Sequence, residues 1–178
     1  MLINTKTEKV FLSLFTIALI IWLGGTIVRT VIAYDNYIPF TRLELKPEYT
    51  DEIRNHNIYI FANTSIYTII SFGVMIVSGI VLFAYNIKIL KLRGWLFMAF
   101  ILFFLSIPFE IYSIILDISL LRNLFGGKEH FNEIVSMDFM KNKFQYLGIV
   151  QPMVFLAYIS GIIILIFKPL DINKSKNS

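Results

Sequence analysis

The sequence predicts an all-α integral membrane protein, a four-transmembrane-helix bundle with antiparallel sequential neighbours. Three observations lead there. Hydrophobic residues make up 57% of the 178 positions and charged residues only 16%, against about 45–50% and about 25% in a soluble domain. The apolar residues are gathered into long charge-free runs rather than spread at an amphipathic period. Lysines and arginines punctuate the ends of those runs, the pattern of membrane topology rather than of a nucleic-acid surface. The net charge of +4 is therefore read as sidedness, and no nucleic-acid partner is expected.

The first run is Val10 to Val28, the second Asn57 to Ile87, and the last Phe144 to Phe167. Each is long enough for the roughly 20 apolar residues that cross about 30 Å of hydrocarbon. The third, Gly94 to Phe109, continues to Leu116 once Glu110 is admitted. The expected helices are about 10–34, 60–87, 94–121 and 146–168, in one membrane domain covering 1–178. Isolated strands are excluded, because backbone groups in lipid must be satisfied within their own segment. The first run exceeds the 7–15 residues of a signal-peptide core and lacks a small-x-small cleavage site, so it reads as a retained helix.

Lys6, Lys9, Lys88, Lys91, Arg93, Lys168, Lys174 and Lys176 gather on one side, opposed only by Glu8 and Asp171. The positive-inside rule places both termini and the 88–93 turn in the cytoplasm. The longer connections, about 35–59 and 122–145, then face outward. The expected location is the inner membrane of a bacterial cell; the Ile, Asn and Lys usage suits an AT-rich genome. Within the second connection, "KEHFNEIVSMDFM" reads as a short helix lying on the outer interface. Gly24-Gly25, Gly73, Ser78, Gly79 and the Ala157–Gly161 pair offer small residues for close helix packing.

Polar groups inside the runs are the candidate functional residues. Ser106, Glu110, Ser113 and Asp117 are spaced +4, +3, +4 and fall within about a 60° arc of a helix. Pro108 beside them removes one helical hydrogen bond. At about 1.5 Å per residue from Trp95, Glu110 lies roughly 22 Å deep, inside the hydrocarbon, while Asp117 is expected near the outer surface and hydrated. A central charge costs about 2.5–3.5 kcal/mol on insertion scales, which protonation or a cationic partner reduces. Arg29 is the candidate partner of Glu110. Gln151 and Tyr158 share a face of the last helix, and Asn63, Tyr67, Ser71 and Ser78 form a loose stripe on the second. The intramembrane cluster is thus Arg29, Ser106, Glu110, Ser113, Asp117, Gln151 and Tyr158.

The two histidines lie in the outer connections. Glu52 with His56 (i, i+4) and His130 with Glu133 (i, i+3) would each share a helical face and offer hydrophilic ligands to a divalent cation. Solvated loop residues account for them more simply, and no metal or other cofactor is expected. There is no cysteine, hence no thiolate chemistry or thiol-held metal. No nucleophile–base constellation is present, and "FGGK" lacks the spacing of a phosphate-binding loop.

Three function classes remain. The first is a non-catalytic accessory or assembly subunit of a membrane complex, partnered by other membrane subunits or by itself. The second is a small transporter or proton-coupled protein using Glu110. The third is a membrane enzyme or redox subunit, for which the residues offer least.

Overall fold

The computed structural model describes residues 5–125 and 133–169. Five helices run in chain order: α1 Lys6–Tyr34, α2 Asp51–Leu90, α3 Gly94–Phe125, α4 Glu133–Leu147 and α5 Val150–Phe167. Four of them, α1, α2, α3 and α5, are long and apolar enough to cross a membrane. The protein is an all-α, multi-pass membrane bundle.

Local chemistry starts and stops each helix. Thr5 caps α1 through a reciprocal box with Glu8, which satisfies two orphan donors. Thr50 accepts from the Ile53 amide at the start of α2, where Asp51 and Glu52 face the positive end of the helix dipole. A tight 91–93 turn joins α2 to α3 and makes them antiparallel neighbours. α2 has 40 residues, about 60 Å of helix. It therefore begins well before the expected position 60, and its first turns stand beyond the apolar span.

The 35–50 connection is more ordered than a plain loop. Tyr37 bridges Leu45, the Ile38 amide donates to the Glu44 carbonyl, and the fully buried Asn36 accepts from Asn57. Burial pushes the Tyr37 phenol up to about 12, with Tyr34 and Asp138 adding to the shift. Outside, Lys46 and Tyr49 both donate to Asp35 and hold its carboxyl below its usual range.

The expected fourth span is α5, and a break just before it separates it from α4. α4 ends at Leu147 and α5 begins at Val150. A Cβ on Gly148 would collide with the Phe144 carbonyl oxygen, so only glycine tolerates this break. Pro152, with no N–H, cannot carry a helical hydrogen bond back across it. The expected short helix of the second connection is α4, and it packs against the bundle. Its Ser136, Met140 and Leu147 are buried, and Met140 joins Ala33, Ile58, Phe61, Ala62 and Leu120 in a core at that end of the bundle.

α1 packs along α2 and α3 along α5; the pairs meet through α2 and α3, with α4 bridging α2, α3 and α5. Small residues set the closest approaches. A Cβ on Gly25 would come within 2.7 Å of Thr68 Cγ2, and one on Gly79 within 2.6 Å of Phe103. A Cβ on Gly24, Gly73 or Gly161 would meet nothing within 4 Å among the described residues, so these three do not set close approaches there. Mid-bundle, Trp22, Phe72, Met75, Phe103 and Tyr158 form the central core.

Candidate functional site

The polar face of α3 is buried along its length: Ser106, Glu110, Ser113 and Asp117 are each at most 6% exposed. Two layers divide it. In the lower, Ser106 Oγ donates to the Phe103 carbonyl and accepts from the Tyr158 hydroxyl 2.9 Å away. Tyr158 stands edge-on to Trp22 with centroids 4.9 Å apart. This layer is a satisfied contact inside the aromatic core.

The upper layer is an ion cluster beside a cavity of about 240 Å³. Asp117 receives two cations at one oxygen: Arg29 Nη2 at 2.8 Å and Lys143 Nζ at 2.5 Å. Arg29 Nη1 donates to Thr68 Oγ1 at 2.9 Å, and its guanidinium lies 4.4 Å from the Phe61 ring centroid. The Arg29–Asp117 contact is one of charge rather than an aligned hydrogen bond, and Arg29 Nε has no hydrogen-bond partner among the described residues. Glu110 accepts from Gln151 Nε2 at 3.1 Å. Thr26, Thr30, Ser113, Gln151 and the four ionisable groups line the cavity together with Ile27, Val31, Ile114 and Phe155.

This arrangement corrects the expected pairing. Arg29 neutralises Asp117, not Glu110. Asp117 is 2% exposed rather than hydrated, because α4 folds over the end of α3 and brings Lys143 with it. The expected stripe on α2 is half buried: Ser71 and Ser78 face inward. Asn63 and Tyr67 are exposed, whereas Thr68 enters the site. One residue along a helix is about 100° of rotation, so choosing Tyr67 over its neighbour Thr68 turned the face away from the bundle.

Lys143 is the residue of this cluster that reading by composition assigned to a connection. A signal for it exists: Ser136, Met140, Lys143 and Leu147 repeat the +4, +3, +4 spacing found on α3. The mixed polarity of that face hides it, since two of the four are polar. Of the metal candidates, Glu52 and His56 are exposed at the start of α2. His130 and the side chain of Glu133 lie outside the described residues. Among the described residues, no cluster of three or more His, Asp or Glu side chains could hold a metal.

Chemically, the site offers cationic and amide donors around one carboxylate that is already paired, Asp117, and a second, Glu110, that accepts a hydrogen bond from the neutral amide of Gln151. Such a site can bind an acceptor-bearing group, and Glu110 can carry or release a proton within it. Comparison with protein-family models, with curated proteins and with solved structures finds no match to this chain.

Proposed function

We propose that this protein is a small transporter or proton-coupled protein of the bacterial inner membrane, which binds an acceptor-bearing group in the cavity between α1, α3, α4 and α5 and uses Glu110 as its proton-exchanging residue. One observation carries the reading: the ion cluster lines an open space. A purely structural ion network is best packed shut, because desolvation of buried charge is compensated only by close, complete partners. Here Arg29, Glu110, Asp117 and Lys143 come from three helices and leave room for about 240 Å³ of something else. The lysine and arginine asymmetry supports both termini and the 91–93 turn in the cytoplasm, which puts the site in the outer half of the membrane.

The cysteine-free chain makes the test direct. In a Ser113→Cys variant, N-ethylmaleimide is expected to modify the folded protein in the membrane. In proteoliposomes under an imposed potential, the wild type is expected to carry a proton current that Glu110→Gln abolishes while its melting temperature stays close to wild type. A thiol that reacts only after denaturation would mean a sealed polar cluster and would overturn the reading.

A second reading, an accessory subunit of a membrane complex, rests on α5. Only 11% of its apolar window is buried within the chain, and a Cβ on Gly161 would meet nothing. A partner helix against this face would be recovered by purification in mild detergent and identification of what accompanies the protein.

A further inference from the structure

The cavity has a side opening, and its position identifies the kind of ligand. α1 and α5 are not packed along each other; ring contacts made by α1 bound the gap at two levels. Below, Trp22 contacts Phe155 with ring centroids 5.7 Å apart. Above, Tyr34 meets Phe144 of α4, with ring centroids 4.6 Å apart and the rings tilted. Between these rungs, over about 18 Å of α1, the rim consists of Ile27 and Val31 on one side and Pro152 on the other. Ile27 is 53% and Val31 66% exposed. Both are apolar and lie on the lipid-facing surface of a membrane-spanning helix, so the opening gives onto hydrocarbon.

Behind this apolar rim stands an excess of hydrogen-bond donors. Arg29, 5% exposed, keeps Nε without a partner among the described residues. Lys143 has three N–H groups and, among the described residues, one acceptor, Asp117. With a proton on Glu110, the cluster holds two cations against the single charge of Asp117. An oxyanion is the complement of these donors. Its depth also fits: Arg29 lies within about 8 Å of the end of α1 at Tyr34, where lipid headgroups meet the chains.

We propose that the ligand is an anionic amphiphile, an oxyanion headgroup on a hydrocarbon chain, which enters sideways from the bilayer between α1 and α5. The headgroup docks against Arg29 Nε and Lys143, and the chain leaves past Ile27 and Val31. This rests on the reading of the cavity as a binding site. A fatty-acid carboxylate and a phospholipid phosphate share the required chemistry.

Native mass spectrometry of the delipidated protein in detergent tests this with four probes: oleate, dioleoyl phosphatidylglycerol, dioleoyl phosphatidylcholine and a decyl-chain quinone. Oleate or phosphatidylglycerol is expected to form a one-to-one adduct at least tenfold more readily than phosphatidylcholine or the quinone. The better of the two identifies the source of the oxyanion. Val31→Trp, which obstructs the opening from an exposed position, and Lys143→Gln, which removes a donor, are each expected to reduce the adduct at least tenfold. Ile27→Trp repeats the first test should Val31→Trp fold poorly. Preference for the quinone or phosphatidylcholine, or anionic adducts unaffected by both rim variants, would overturn the proposal. Absence of any adduct while the Ser113→Cys variant still reacts with maleimide would overturn the lipid ligand and leave the binding site standing. Absence of both would remove the two together.

Discussion

Replacing Asp117 with Asn isolates the ion cluster's contribution to the fold. The side chain keeps its shape but loses the charge that both Arg29 and Lys143 contact. Removing one partner of a buried pair costs about 3–5 kcal/mol in soluble proteins. Two effects lower this in a membrane: separated helices find other polar partners, and Arg29 and Lys143, near the ends of their helices, can extend toward water when released. With two cations left unpaired together, about 3 kcal/mol is expected. At about 2–4 °C per kcal/mol for a chain of this size, the melting temperature should fall by about 6–12 °C. Glu110→Gln is the control. Its amide oxygen can still accept from Gln151, so at most one ordinary hydrogen bond, about 0.5–1.5 kcal/mol, is at stake. Adding Arg29→Gln to Asp117→Asn should recover part of the loss, because a neutral pair no longer strands a charge. Thermal unfolding in one detergent, followed by loss of the monodisperse peak, compares the wild type, the single variants Asp117→Asn, Arg29→Gln and Glu110→Gln, and the double variant. A drop for Asp117→Asn no larger than for Glu110→Gln, or additivity in the double variant, would refute the ion-pair account.

Gly25→Ala is expected to destabilise by about 1–3 kcal/mol, because its methyl group would meet Thr68 Cγ2, on the residue that orients Arg29. Gly24→Ala, one residue away in open space, should be neutral or stabilising by up to about 1 kcal/mol in the same melting assay. Gly148→Ala should disturb the break between α4 and α5 and displace Lys143, seen as faster hydrogen exchange across α4 and a fall in melting temperature close to that of Lys143→Gln. Single cysteines at Asn123 and Lys91 test sidedness: an impermeant thiol reagent on intact cells should label Asn123→Cys alone, and the reverse pattern would invert the topology.

The membrane class and the number of spans were legible from the sequence because both depend on a sum over about 20 side chains, which no single contact can reverse. The Ser106–Glu110–Ser113–Asp117 face was legible for a related reason: helical period alone decides which residues share a side, and four polar residues on one side of a lipid-immersed helix turn inward. Which charges meet was a different matter. Arg29 reaches Asp117 rather than Glu110 because α4 turns back over the end of the bundle and Lys143 arrives from 26 residues away. Thr68 rather than Tyr67 faces the site because the packing of Gly25 against α2 sets that helix's rotation. The cavity follows from α1 and α5 standing on separate helix pairs, with Trp22 meeting Phe155 of α5 at one level and Tyr34 meeting Phe144 of α4 at another. Periodicity fixes a face within one helix; the rotation and spacing of helices relative to each other are set by close packing between segments distant in the chain, and that is a property of the tertiary structure.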